Sequence, residues 1–228
     1  MAYEKSKETK ERLIYAARKS FYNNGFDKTT MRMIAKDAEV PQSLAYYYFE
    51  GKHDLAHHIL DDYFYRVSKR FNQYYNSETD YFMYLLLLLR LVYREISQNP
   101  KELDFYFKGY EKVCCDPKFD KHVFLCAKRM GLNVTEKKVQ MASIMSNAAW
   151  SEMVVSKRKG IIEIEDHEIR DNVDLMRWSY LGVSQSLILE KIDEAYKMLE
   201  GIPMMCVPLL EDPDKKTEQE YVPVYAGR

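Results

Sequence analysis

TTMRMIAKDAEVPQSLAYYYFEGK, residues 29–52, reads as two short helices packed across a tight turn, and that reading decides the fold. In the first segment Met31, Ile34, Ala35 and Ala38 recur at i, i+3, i+4 and i+7 and so share one helical face. Thr29 or Thr30 supplies the hydroxyl that a helix start needs for its free amide groups. The second segment begins at Pro41, whose fixed backbone angle and missing N–H suit a first helical position. Ala45 and Phe49 then point inward, leaving Gln42, Ser43, Leu44, Tyr46 and Tyr48 outside. That outer face has hydrogen-bonding and apolar groups and no carboxylate, as a DNA-facing surface requires. The pattern is a helix-turn-helix.

Working outward, a first helix is expected over about Lys7–Tyr22, with Ile14, Ala17 and Phe21 inward and Asn23-Asn24-Gly25 as its stop. The paired Thr29-Thr30, the Ile34-Ala35 pair, the aromatic run Tyr46-Tyr47-Tyr48-Phe49 and the following Lys52 together resemble the DNA-binding domain of the TetR family of bacterial transcription regulators. The resemblance covers about residues 7–55. Three positions depart from the family pattern. Glu39 stands where the family usually has Gly, so a left-handed backbone there is costly or the turn differs. Ala45 stands where a bulky Leu is usual, and Leu44 where a small hydroxyl residue is common.

Composition fits an all-α protein with a substantial core: 228 residues, 46% hydrophobic, 30% charged, net charge −1. The longest apolar stretch, Tyr81–Leu89, is too short to cross a bilayer. Four cysteines without CxxC spacing do not make a disulfide framework, so no membrane partner and a cytoplasmic setting are expected. Residues 1–52 hold ten Lys and Arg against seven Asp and Glu, whereas the remainder is acidic. A modest positive end on an acidic body favours phosphate contact, although Lys5, Lys7 and Lys10 also read as a solvated face.

Three parts are expected: residues 1–52 as a three-helix DNA-binding domain, 53–210 as a larger helical domain, and 211–228 as a polar tail, extended or mobile. A long helix from Lys52 to about Tyr75 connects the first two. Helices follow over about Tyr81–Ser97, Lys101–Val113, Lys118–Met130, Thr135–Lys159, His167–Ile188 and Leu189–Glu200.

Base edges carry direct sequence information and phosphates do not, so the roles divide. Gln42 is the leading base reader, able to pair bidentately with adenine, and Leu44 suits a thymine methyl. Ser43 fits either a base or a phosphate. Tyr46, Tyr47, Lys52 and Thr30 read as backbone clamps, with packing against the first helix the alternative for Tyr47 and plain capping for Thr30.

One such unit covers little DNA, so a homodimer on a palindromic double-stranded operator is expected, with recognition helices about 34 Å apart. By resemblance to the family, the last two long helices pair with their symmetry mates through Met141–Val155 and Val173–Leu187. There Ala142, Ala148, Ala149, Gly182 and Ser184 allow close approach, while Met145, Trp150, Met153, Met176 and Trp178 fill a seam. The family also binds small molecules in its larger domain, and an apolar or aromatic effector is expected there. Phe64, Phe71, Tyr84, Tyr93, Phe107, Tyr110, Phe124 and Met145 are the candidate lining, against the alternative of ordinary core.

No cofactor or metal is called for. His53 and His57, one turn apart near Asp54 and Asp61, have ligand spacing but read as solvent-exposed, and Cys114-Cys115 read as structural thiols. No Gly-rich phosphate loop, nucleophile elbow or HExxH points to an enzyme. The resemblance implies a ligand-responsive regulator, a repressor released by its effector. The competing reading is a helical interaction module that has lost sequence-specific DNA binding.

Overall fold

The computed structural model describes residues 2–110 and 117–213, which form ten helices and no strand. In chain order they are α1 (Ala2–Lys28), α2 (Met31–Asp37), α3 (Gln42–Tyr48), α4 (Lys52–Phe71), α5 (Tyr81–Ile96), α6 (Pro100–Tyr110), α7 (Pro117–Arg129), α8 (Glu136–Arg158), α9 (Asp166–Leu181) and α10 (Gln185–Glu200). The all-α expectation holds. No helix among the described residues is long and apolar enough to cross a membrane. Cys114 and Cys115, and the tail from residue 214, lie outside the described residues.

Two expected boundaries shift for local reasons. The first helix does not stop at Tyr22: Gly25, at φ 76, interrupts it and one further turn follows to Lys28. The helix expected over His167–Ile188 is two, because Gly182 closes α9 in the left-handed conformation and the Ser184 hydroxyl accepts the Leu187 N–H to start α10. Gly182 and Ser184 are therefore cap residues rather than parts of a helical seam.

The chain folds as two compact units whose borders differ from the expected division at residue 52: one comprises Met1–Arg70, Val92–Lys112 and Met205–Arg228, the other Phe71–Leu91 and Val113–Met204. The first unit joins the helix-turn-helix to α4, the last turn of α5, and α6. Phe21 of α1 lies with Phe105 of α6 at 4.8 Å between ring centroids and with Phe26 at 5.4 Å. Gly109 brings α6 close to α4, since a Cβ there would stand 2.9 Å from Leu60 Cδ1.

An extended segment after α10 completes this unit by burying Met205, Val207, Leu209 and Leu210. Its backbone amides have no helix or sheet to join, and buried carboxylates accept them instead. Glu95 of α5 takes the N–H of Met205 and Cys206, and Glu102 of α6 takes those of Leu209 and Leu210 at 3.0 and 2.9 Å. Residues 211–212, expected in the polar tail, are part of this packing: Glu211 meets Arg18 at 3.0 Å and Asp212 accepts from the Tyr22 hydroxyl at 2.7 Å.

The second unit is built around residues 81–91 of α5, buried on nearly every side, with α8 and α9 packed along each other. Phe82 meets Trp178 edge-on at 4.7 Å. Arg90 reaches Asp174 at 3.0 Å and Asp171, and the Tyr196 hydroxyl donates to Asp171 at 3.0 Å, so one buried guanidinium ties α5 to α9 and α10. Burial alone would pull the Arg90 pKa down; Asp174 and Asp171 outweigh it and raise it.

Burial pushes the Glu102 carboxyl above its ordinary pKa, against the opposing pull of the Leu210 and Leu209 amides, Arg18 and Arg66. The folded state therefore holds this proton more tightly than the unfolded chain. Its stabilising contribution is complete below the ordinary value of 4.5 and is lost as pH rises through the elevated one. Glu102→Gln keeps an accepting oxygen and does not titrate. Chemical unfolding across pH should show the Gln variant gaining relative to the parent as pH climbs above the ordinary carboxylate range; a constant difference would mean that Glu102 ionises freely.

Candidate nucleic-acid interface

The paired threonines divide the work. Thr30 is the N-cap of α2, its Oγ1 accepting the Met33 N–H at 3.3 Å, while the buried Thr29 hydroxyl turns back to the Gly25 and Ser20 carbonyls at 2.8 and 3.1 Å. Met31, Ile34, Ala35 and Ala38 are all buried, as their spacing predicts.

The turn takes the left-handed conformation despite lacking Gly: Glu39 has φ 54. Its N–H bonds to the Lys36 carbonyl and the Val40 N–H to the Ala35 carbonyl, the same double closure that ends α9 at Gly182. What the sequence reading missed is Arg12. Its guanidinium donates from α1 to the carbonyls of Ala38 and Glu39 and lies 3.8 Å from the Glu39 carboxylate, bracing the turn from below.

Pro41 is the N-cap of α3 rather than its first residue. Ala45 and Phe49 are fully buried, and this fixes the opposite side of α3 outward. Gln42 and Ser43 are exposed and Leu44 is half-buried. Tyr46 is 50% exposed and Tyr47 78%, so Tyr47 does not pack against the first helix. Tyr48, expected on the outer face, makes that contact instead, donating its hydroxyl to Ser6 Oγ at 3.0 Å. Exposed Arg32 and Lys36 on α2 were also missed, although their i, i+4 spacing marked them as one cationic edge.

Lys52 is the main correction. Its ammonium donates to the carbonyls of Phe26 at 2.8 Å and of Asp27 and Thr29 at 3.3 Å, and lies 4.5 Å from the Phe26 ring centroid. The Phe26 and Asp27 carbonyls stand in the last turn of α1, where a cation is favoured, and Thr29 follows that helix. The expected phosphate clamp is thus engaged inside the head.

The histidines are packed rather than grouped: His53 lies edge-on to Phe26, His57 near Tyr110, and His58 between Phe49 and Asp54. Among the described residues no three His, Cys, Asp or Glu side chains gather as a metal site.

The eight candidate effector residues do not form one set. Phe64 and Tyr110 join Tyr106 in an aromatic cluster of the first unit, to which Tyr93 and Phe107 also belong by position. Phe71 and Tyr84 stack at 5.3 Å in the second unit, continued by Tyr75 and Tyr81. Burial pushes the Tyr84 hydroxyl up to about 12. Phe124 sits under the Lys128 ammonium, and Met145 is 37% exposed on α8. An open cleft of about 470 Å³ in the second unit is lined by other residues, among them Glu78, Asp80, Tyr81, Cys126 and Arg129. The Cys126 thiol there is pushed up to about 12 by burial, which leaves it unreactive.

Removing the Lys52 ammonium should destabilise the head whether or not DNA is present. Lys52→Ala is expected to cost about 1.5–3 kcal/mol in chemical denaturation, the range for hydrogen bonds to a charged group. Unchanged stability with weakened DNA binding would restore the phosphate-clamp role. Glu39→Gly should raise stability by up to about 1 kcal/mol by relieving the left-handed side chain, and thermal melting reads the sign.

Residues 13–59 match the model of bacterial regulatory proteins of the tetR family. A probable HTH-type transcriptional regulator of Bacillus subtilis (strain 168), YttP, is 38% identical over 61 residues, 27% of this chain and 30% of that protein's length. A solved structure, the gamma-butyrolactone receptor (ArpA-like protein), superposes over 87% of this chain and 99% of its own with a TM-score of 0.36 and 17% identity, a likeness too loose to carry an argument. The helix-turn-helix geometry and the family match fall on the same residues, so the head of this chain, residues 13–59, is similar to the DNA-binding region of bacterial regulatory proteins of the tetR family.

Proposed function

We propose that this chain is a sequence-specific, dimeric DNA-binding regulator that represses by occupying a palindromic operator and leaves it when a small apolar or aromatic effector binds. The observation that carries the reading is the outward face of α3. Gln42, Ser43, Tyr46 and Tyr47 are exposed together, without a carboxylate, on a helix anchored by Ala45, Phe49 and the Tyr48 hydroxyl. Thr30 adds a hydroxyl at the start of α2 and Arg32 and Lys36 add charge beside it. Gln42 reads a base edge, the tyrosines and Thr30 hold the phosphate backbone, and Leu44 takes an apolar contact.

The dimer reading rests on an apolar strip that the second unit leaves open. Met141, Ile144 and Met145 are 43%, 46% and 37% exposed at i, i+3 and i+4 on α8. Tyr180 of α9, 37% exposed, places its hydroxyl 3.9 Å from Met141 Sδ, so the strip is continuous across both helices. Ala148 lies on the same side, whereas Ala142 and Trp178 are buried in their own unit. A second copy of the strip covers it by two-fold symmetry.

The effector reading rests on the aromatic clusters of both units. Native mass spectrometry of the purified chain tests dimer and effector together, reading twice the chain mass and any molecule retained.

Binding to duplexes selected from a random library should be sequence-selective and should weaken steeply with salt, log K falling by about 0.9 per phosphate contact per decade. Weak, sequence-blind binding would favour the interaction module instead. Gln42→Ala should lose discrimination at one base position, at a cost of about 1–3 kcal/mol there, with other positions unaffected. Ile144→Glu should yield monomers by sedimentation and lose operator binding while its helical content stays unchanged; a dimer in that variant would move the interface elsewhere.

A further inference from the structure

We propose that residues 205–212 are a latch that fixes α1 of the DNA-reading head to the connecting helix α4, so that docking of this segment controls operator affinity. The proposal rests on the DNA-binding reading above.

The segment is recognised through its backbone. On its amide side, Met205 and Cys206 donate to the two carboxylate oxygens of Glu95, and Leu209 and Leu210 donate to one oxygen of Glu102. On its carbonyl side, Arg70 reaches Met205 and Cys206, Arg66 reaches Pro208 at 3.1 Å, and Arg18 reaches Pro208 and Leu209 at 2.9 and 3.0 Å. Arg66 and Arg70 belong to α4, and Arg18 belongs to α1. Pro208 thus accepts from both helices at one atom, bridging α1 and α4 through a piece of chain about 190 residues distant from the first.

Two further observations indicate a discrete docked state. With the segment docked, Arg18, Glu95 and Glu102 are 2%, 7% and 8% exposed, and withdrawing it takes from each the backbone groups it hydrogen-bonds there. Cys206 holds φ 51, a left-handed conformation unfavourable for its side chain, directly after the two amides that grip Glu95. Such a conformation persists where surrounding contacts over-determine it. Docking is therefore a two-state event with a defined footprint. Undocked, α1 keeps the Lys52 contact at its end but loses the bridge through Pro208 to Arg66 of α4, and the population of heads held in reading geometry falls.

The test compares the full chain with truncations after Pro213 and after Met204 and with the double variant Glu211→Ala/Asp212→Ala, which removes the Arg18 ion pair and the Tyr22 hydrogen bond. Two quantities are read: affinity for a duplex selected by the full chain, and hydrogen exchange of amides 16–24 in α1. Truncation after Pro213 should leave both within about twofold, whereas truncation after Met204 should weaken binding about tenfold or more and speed exchange in α1. The double variant should move both in the same direction by less, and it decides the matter if the shorter truncation fails to fold. Equal affinity and unchanged α1 exchange in the double variant and the shorter truncation overturn the latch. Failure of the full chain to select any duplex overturns the DNA reading instead, and α1 exchange then tests the latch by itself.

Discussion

The carbonyl groups at the end of α1 need partners, and the ammonium of Lys52 supplies them. Helix ends leave several carbonyls without intrahelical bonds, and here Phe26, Asp27 and Thr29 share one cation that stands at the first position of α4. One contact thereby sets both where α1 stops and where α4 starts. The helix-turn-helix between them is closed at one end by Lys52 and at its turn by Arg12. With Ala45 and Phe49 buried, α3 has no rotational freedom left, so the orientation of Gln42 and Tyr47 toward solvent is a consequence of the core beneath them.

Both units use buried ion pairs at their helix junctions. A buried pair is not an efficient source of stability, because desolvation offsets most of the attraction. Its effect is selective: a misplaced helix leaves a charge out of water with nothing beside it. Arg90 penalises any placement of α9 that removes Asp171 and Asp174. Glu95 and Glu102 do the same for the segment after α10. These charges specify one arrangement among helices whose apolar faces would tolerate several.

The head was legible in the sequence because its determinants are local. Four apolar positions at helical spacing, a hydroxyl at a helix start and a proline at the next start each act within a few residues, and the structure follows them. The turn at Glu39 was legible as a cost, but not its solution, since Arg12 lies 27 residues away and a single arginine on α1 reads as surface charge. Lys52 was misjudged for a related reason. A lysine at a helix start after a DNA-facing segment has the same sequence signature whether its ammonium meets a phosphate or three carbonyls. Only the path of α1 separates the two, and that path ran one turn past the stop that Gly25 announced.

The aromatic residues and the chain end were read with least success, and for opposite reasons. Large rings are identical as core and as pocket lining, so Phe64 and Phe71 looked alike although they belong to different clusters. The segment 205–212 straddles the expected border at residue 210, and one proline and two acidic residues shorten the apolar run whose Met205, Val207 and Leu209 alternate into the core. Its burial also depends on Arg18, Glu95 and Glu102, which complete its backbone hydrogen bonds from other helices. Four of its own side chains are buried as well, but the pairing of its amides and carbonyls is not written in the segment itself. The information lies in the partners, and in the sequence those partners are indistinguishable from charges facing water.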